Sequence, residues 1–317
     1  MNQSIPKTIY IIFASGASLD FFFSPSTVNG VWIEYLLKKE LEDAGYIVKF
    51  SRDGSNLTDV AAIISWETDE NILRNLAPYP REKCILIVFE PPHVCPNYYT
   101  TSTRKQFGKI LVFFDTPVDN KNYYRMYMPF MERSLIKPKN IPYFSEKKLC
   151  TAIQGNKYFY PHPDELYTER KNIFSFFIST GDFEIYGPGW QGVPCWKGMA
   201  PDPLSETFKK YRFSLIYENF KNHKGYITER LFAGMASRSV PAYMGAADIT
   251  DYVPKECFID IRKFANYSEL YQFMKTMSEE TYNKYVNAIE HYFQTTDKLQ
   301  KFTKEYWVKT ITSHLPN

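Results

Sequence analysis

The densest chemistry in the sequence lies in Tyr211-Arg-Phe-Ser-Leu-Ile-Tyr-Glu-Asn219, the polar loop Phe-Lys-Asn-His-Lys-Gly and Tyr226-Ile-Thr-Glu-Arg230. Ile227, Leu231, Phe232 and Met235 recur on one apolar helical face, which leaves Thr228, Glu229 and Arg230 in the first turn. A carboxylate there can accept two hydrogen bonds from a ribose diol, and a guanidinium can grip a diphosphate with two parallel bonds. Solvation of a helix end would explain the charges, but not the ordered polar residues on both sides of one loop.

Two other places carry candidate groups. Glu90 closes the apolar run CILIVFE and is followed at once by Pro91 and Pro92, which stiffen the chain and stop any helix. A partly buried carboxylate held at a strand end can take a proton from a bound hydroxyl; a surface pair with a lysine is the plainer alternative. Glu90 and His93 have the E-x-x-H spacing of helical metal sites, but the prolines between them forbid that helix. Gly187-Pro-Gly-Trp-Gln-Gly192 matches the bare dinucleotide pattern after a strand, yet Pro188, Gly192 and Pro194 oppose the helix that pattern needs. A glycine loop approaching a phosphate, with Lys197 as its charge partner, is the reading that survives.

The elements that must position these residues alternate. Apolar runs at 9–13, 47–50, 61–66, 84–90 and 110–114 predict strands, and the segment 30–46, with Trp32, Leu36, Leu37 and Leu41 on one face, predicts a helix. A second series follows: LCTAI, the helix DELYTERKNIFSFF, FEIYG, FSLIYEN, the helix YITERLFAGMASR, VPAYMG and CFIDI. Such β-α-β alternation implies mostly parallel sheets with helices on their faces, and ligands at the carboxyl ends of the strands. Between residues 120 and 146 the pattern dissolves into Tyr, Pro and charge, which places the boundary there: an N-terminal lobe over 1–146 and a C-terminal lobe over 147–317, the last helix free to pack back on the first. From Tyr267 onward two or three helices are expected.

Composition narrows the function classes. With 317 residues, 44% hydrophobic and 23% charged, the chain is expected to fold into two α/β lobes facing a cleft. A net charge of +3 is too small for counterion-driven nucleic-acid binding. Five scattered cysteines without a C-x-x-C pair predict reduced thiols in a cytosolic protein. No segment has the ~20 apolar residues of a membrane span, and the tail residues Phe293, Lys298, Lys301, Tyr306 and Trp307 allow only peripheral membrane association. No D-x-D pair is present to hold a metal against a diphosphate.

The stretch from Tyr211 to Phe264 resembles the signature of the α-1,3/4-fucosyltransferase family, glycosyltransferase family 10: an aromatic-Glu-Asn, a short loop, Tyr-Ile-Thr-Glu-Arg, then Val-Pro, a Gly, and Phe-Ile. Glu90-Pro-Pro resembles the family's Glu-Ser/Pro-Pro turn, and QGNK followed by Arg170 resembles its Asn-to-Arg segment. The resemblance implies two Rossmann-like lobes in the GT-B arrangement, GDP-fucose as donor in the C-terminal lobe, a glycan acceptor in the N-terminal lobe, inversion at the fucose anomeric carbon and no required metal or other cofactor. By position it implies Glu90 as general base, Glu229 as ribose-binding acid, Arg230 as diphosphate contact where the family usually has Lys, Asn219 and Tyr226 as donor-pocket residues, and Lys197 as the second phosphate ligand. A cytoplasmic enzyme, at most peripheral at the inner face of a membrane, is the expectation. Transfer of another nucleotide-linked sugar and non-catalytic glycan binding are the alternatives.

Overall fold

The computed structural model describes residues 8–13, 23–24, 33–92, 94–114, 118–129, 140–158, 161–201, 204–295 and 297–316. It divides into two compact units, Met1–Met131 with Phe302–Asn317, and Glu132–Lys301. Both are built on parallel sheets. Parallel strands are covered on both faces, so they require near-continuous apolar runs rather than alternation.

In the first unit, β1 (Thr8–Ile12), β2 (Ile47–Ser51), β3 (Val60–Ser65), β4 (Cys84–Val88), β5 (Lys109–Val112) and β6 (Tyr123–Arg125) pair in the order β2-β1-β3-β4-β5-β6. Every residue of β1 and β4 is buried. The helix Ile33–Asp43 buries Ile33, Leu37 and Leu41 at four-residue spacing, while Leu36 is only half-buried and Trp32 lies outside the described residues. The terminal helix Lys304–Thr312 adds Trp307, Val308 and Ile311 to the same apolar cluster as Ile9, Ile11 and Leu37. Trp307 packs beside Trp66, ring centroids 6.1 Å apart, and Lys109 Nζ donates to the His314 carbonyl at 2.8 Å.

In the second unit, β7 (Lys148–Ile153), β8 (Phe183–Tyr186), β9 (Tyr211–Tyr217), β10 (Val240–Met244) and β11 (Ile259–Asp260) pair in the order β11-β10-β9-β7-β8. Consecutive strands depart to opposite sides of β7, so the strand order reverses between β7 and β9. Backbone groups left by diverging loops are available to a ligand at such a point.

Three boundaries differ from expectation. The interlobe boundary after residue 146 falls too late: the Phe144 ring lies 5.1 Å from that of Tyr282 and under the Arg212 guanidinium, and Lys147 Nζ donates to the Arg238 carbonyl, all inside the second unit. The Tyr- and Pro-rich stretch is not wholly linker, because Tyr123–Arg125 completes the first sheet as β6. Among its described residues the tail holds four helical segments, Tyr267–Lys275, Glu279–Thr295, Asp297–Gln300 and Lys304–Thr312. The first and last have side-chain caps at Asn266 and Thr303 that accept backbone N–H groups. No described helix is long and apolar enough to cross a membrane.

Candidate functional site

At the carboxyl end of β9 the chain leaves a strand buried at every residue but Arg212 and enters Glu218, itself 0% exposed. A carboxylate there must be paired or hydrogen-bonded to persist. Glu218 Oε1 accepts the Thr228 N–H at 2.8 Å, and Oε2 accepts from Arg230 Nη2 at 3.2 Å. Arg230 Nε in turn donates to the Thr228 hydroxyl at 3.1 Å. The carboxylate thereby does the work of a helix cap for Glu229–Ala236 while fixing the guanidinium beside it. Burial pushes the Glu218 carboxyl up, against the pull of Arg230. Burial works against the Arg230 charge, but Glu218 and Glu229 outweigh it and hold its pKa above the ordinary value. Gly245, just past β10, leaves the room this needs: a Cβ there would stand 2.4 Å from Glu218 Cγ.

Glu229 opens that helix and is half-buried. Asn219 Nδ2 lies 3.4 Å from the hydroxyl of the buried Tyr226, and Gly225 N–H donates to Asp248 Oδ1 at 2.8 Å, tying the polar loop to the turn after β10. Asn219, Tyr226, Glu229 and Arg230 are thus gathered at one strand end, as the spacing predicts.

A second arginine joins them. The helix Tyr167–Thr180 buries Tyr167, Arg170, Ile173, Phe174 and Phe177 on one face. Arg170 is 2% exposed, lies 4.4 Å from the Tyr167 ring centroid, and its Nη1 has no hydrogen-bond partner among the described residues. Burial first, then the Arg230 charge, brings its pKa down to about 10. The buried Arg170 and half-buried Arg230 guanidinium groups lie within electrostatic reach of each other, and of the carboxylates near them only Glu218 is fully buried. That imbalance suits an anion with several oxygens.

Lys197 is not part of this group. Its ammonium lies 3.3 Å from Glu184, a carboxylate that also takes Lys148 Nζ at 2.7 Å and the Tyr211 hydroxyl. Lys148 and Tyr211 are the first residues of β7 and β9, so this cluster marks the amino ends of the strands, opposite to Glu218. The lysine comes after a loop that runs back along β8, Lys197 N–H donating to the Ile185 carbonyl at 2.9 Å. The glycine loop before it opens no helix. Gly187, Gly189 and Gly192 have positive φ, and a Cβ on Gly187 would meet the Gln154 carbonyl oxygen at 2.6 Å. Gly187 and Gly189 serve the packing of the loop after β8 on the loop after β7, with Trp190 Nε1 donating to Gln154 O at 2.7 Å.

In the first unit, Glu90 stands two residues beyond β4, half-buried. Phe89 stacks on Phe113, centroids 4.9 Å apart, and the Val94 and Cys95 N–H groups both donate to the Pro91 carbonyl, which closes the turn. The Tyr99 hydroxyl donates to the Glu90 carbonyl at 2.9 Å. Burial first, then the carboxylates of Glu90 and Glu67, push the Cys95 thiol up, so Glu67, beyond β3, shares this strand-end neighbourhood. His93 lies outside the described residues, and no group of three or more His, Cys, Asp or Glu suited to a metal ion is found among those described.

Two residues escaped the reading of spacing alone. Glu218 stood inside the quoted stretch without a role, although a charge directly after the run FSLIY is a signal of a buried pair. Arg170 entered only through the resemblance, yet its place at i, i+3, i+4 and i+7 with Ile173, Phe174 and Phe177 puts a charge on a core-facing stripe.

Comparison with known proteins agrees with the pattern. Residues 164–313, just under half of the chain, match the family model for the glycosyltransferase family 10 (fucosyltransferase) C-terminal domain. An α-(1,4)-fucosyltransferase of Arabidopsis thaliana is 36% identical over 86 residues, 26% of this chain and 21% of that protein. An α-(1,3)-fucosyltransferase of Helicobacter pylori is 28% identical over 109 residues, 34% and 22% of the two chains. The matches span about a fifth of these relatives' length. In fold, the chain is similar over its whole length to a crystal structure of an α1,3-fucosyltransferase (TM-score 0.62, 14% identity, 92% of that chain). It is also similar to the T4 phage β-glucosyltransferase (TM-score 0.55, 16% identity, 98% of this chain and 100% of the other). In fold the two parallel α/β units are similar to these GT-B structures, and residues 164–313 are similar to the C-terminal domain of glycosyltransferase family 10 (fucosyltransferase).

Proposed function

We propose that the protein is an inverting α-1,3 or α-1,3/1,4 fucosyltransferase that moves fucose from GDP-fucose to a hydroxyl of a glycan acceptor. The observation that carries this is Arg170: a guanidinium at 2% exposure with an unpartnered Nη1, beside an arginine already paired to a buried carboxylate. Burying such a charge without a counterion costs stability, and a diphosphate supplies the counterion. A crystal structure of similar fold is that of an α1,3-fucosyltransferase with GDP-fucose, which supports the choice of donor.

In this reading Glu229 accepts hydrogen bonds from the ribose hydroxyls, while Asn219 and Tyr226 shape the donor pocket. Arg170 takes the role expected of Lys197 and, with Arg230, stabilises the negative charge that grows on GDP as the bond from the fucose anomeric carbon to the diphosphate oxygen breaks. Glu90 removes the proton from the acceptor hydroxyl as its oxygen bonds to that carbon from the opposite face. The proton rests on Glu90 and the electron pair leaves with GDP.

The test is a transfer assay with the full chain, a galactose/N-acetylglucosamine acceptor, and GDP-fucose in competition with other nucleotide sugars. Fucosylated product with inverted anomeric configuration is expected. Transfer of a different sugar would replace the donor, and glycan binding indifferent to nucleotide, without turnover, would replace the enzyme reading by a binding one.

A further inference from the structure

The polar loop between β9 and the helix Glu229–Ala236, Phe-Lys-Asn-His-Lys-Gly over residues 220–225, has no part in the proposed chemistry. It is fastened to the segment that leads into the helix Tyr167–Thr180. Glu165 and Phe220 form an antiparallel bridge. Backbone bonds run on either side of it: Leu166 N–H donates to the Asn219 carbonyl and Lys221 N–H to the Asp164 carbonyl, both at 2.9 Å. Asn222 Nδ2 donates to Asp164 Oδ1 at 2.7 Å. It does so from a left-handed backbone, φ 63°, which Asn enters more readily than most residues. Asp164 N–H in turn donates to His162 Nδ1 at 3.1 Å. Segments 162–166 and 219–222 are thereby clasped.

The clasp reaches the arginine site by two routes. Along the backbone, Leu166, whose N–H is held by Asn219, accepts the Arg170 N–H on its own carbonyl at 2.9 Å. Asn219 directly follows Glu218, the partner of Arg230. Through side chains, the fully buried Phe220 sets its ring edge-on to Tyr167, centroids 6.0 Å apart, and the Tyr167 ring lies 4.4 Å from the Arg170 guanidinium. Phe220 is itself flanked by the rings of His162 and His223 at 6.3 and 6.1 Å. A ring face attracts a cation without fixing its direction as a hydrogen bond does, so the placing of this guanidinium depends on what holds the ring.

Resting on the GDP-sugar reading above, we infer that this clasp, with Phe220 and Asp164 as its positioning residues, sets Arg170 at the separation from Arg230 that a diphosphate requires. Phe220 acts through the Tyr167 ring, and Asp164 through the pairing that holds Leu166. A group displaced by about 1 Å can lose up to 10²-fold in effect, so loosening the clasp is read in nucleotide affinity.

The experiment is calorimetric titration of the full chain with GDP for Asp164→Ala, Asp164→Asn and Phe220→Ala, each made in the wild-type and in the Arg170→Met background, with melting temperatures of the unliganded proteins in parallel. Asp164→Ala should weaken GDP about 2- to 10-fold, the usual worth of one hydrogen bond. Asp164→Asn keeps an oxygen for Asn222 and should bring the affinity back to within about twofold of wild type. Phe220→Ala should weaken GDP by about 10- to 100-fold; should it fail to fold, the two Asp164 variants decide. In the Arg170→Met background each substitution should change GDP affinity by less than about twofold, because the group they position is gone. A merely structural role would not produce that loss of effect. Equal factors in both backgrounds, or lowered melting with GDP affinity unchanged, would overturn the inference while leaving the donor reading intact. No GDP binding by wild type, or an affinity untouched by Arg170→Met alone, would overturn the donor reading and the inference with it.

Discussion

The two units share a strand order and differ in what they place at its open end. Around its first strand each sheet runs the same way, β2-β1-β3-β4-β5 in one and β8-β7-β9-β10-β11 in the other. In the second unit the carboxyl end of that order holds the buried Arg170 and Glu218 and the half-buried Arg230, the last two knitted by Thr228 and relieved of steric conflict by Gly245. In the first unit the corresponding end beyond β3 and β4 holds Glu67 and Glu90 among Trp66, Tyr98 and Tyr99, with the Tyr98 hydroxyl donating to the Trp66 carbonyl at 3.1 Å. Topology decides where a ligand can meet the backbone. Buried charge decides which ligand: on the function proposed above, the second unit holds an anion and the first handles a proton beside aromatic surface.

The strongest way to break this contrast is to remove the proton-handling group alone. Glu90→Gln should lower the transfer rate by about 10²–10⁴-fold, the usual contribution of general base catalysis, while the affinity for GDP stays within twofold. Loss of GDP binding in that variant would mean the two units do not divide the labour this way. Next, Glu218→Ala removes the partner of a buried guanidinium and should cost about 3–5 kcal/mol of stability in denaturant unfolding; a loss below about 1 kcal/mol would show that Arg230 is not held by this pair. Arg170→Met sharpens the contrast from the other side. It should weaken GDP by roughly 10- to 100-fold without lowering unliganded stability, because the guanidinium it removes has an unpartnered Nη1. Unchanged GDP affinity would take Arg170 out of the site.

How much of this the sequence made legible depends on where the deciding forces act. The alternation of strand runs and amphipathic helices is local, so nearly every strand and the helices 33–43, 167–180 and 229–236 could be placed from spacing. The boundary between units was not local. Phe144 and Lys147 belong to the second unit because of partners about 90 or more residues away, Arg238 and Tyr282, and the terminal helix is placed by Trp307 joining a cluster formed by the first strands. The same holds at the site. Asn219, Tyr226, Glu229 and Arg230 lie on one short loop and helix start, so sequence proximity sufficed. Lys197 followed a glycine loop in sequence, but the chain between them runs back along β8 and carries the ammonium to Glu184 at the amino end of the sheet. Arg170, 60 residues before Arg230, meets it only through the fold.

The smallest expected effect concerns the opposite end of the second sheet, where a charge is buried for packing and not for a ligand. Lys147 is 5% exposed, and burial first, then Arg238, lowers its pKa to about 7. Its folded-state pKa is below the unfolded value, so between about pH 7 and 10 the unfolded chain binds more protons and stability rises with pH. Lys147→Met should flatten that rise and add on the order of 1 kcal/mol at neutral pH, with GDP affinity untouched. An unaltered slope in chemical unfolding across this range would show that Lys147 titrates as an exposed lysine.

The claim on which the contrast rests is that the second unit's Arg170 and Arg230 await a guanosine diphosphate. It is tested most directly by the unfolding temperature of the full chain with GDP, UDP, CMP and ADP, each with and without a chelator. A ligand at about 100 times its Kd stabilises by about 2.7 kcal/mol. The account predicts that rise for GDP alone, the same with chelator present. A rise for UDP, a rise abolished by chelator, or no rise with any nucleotide would contradict it.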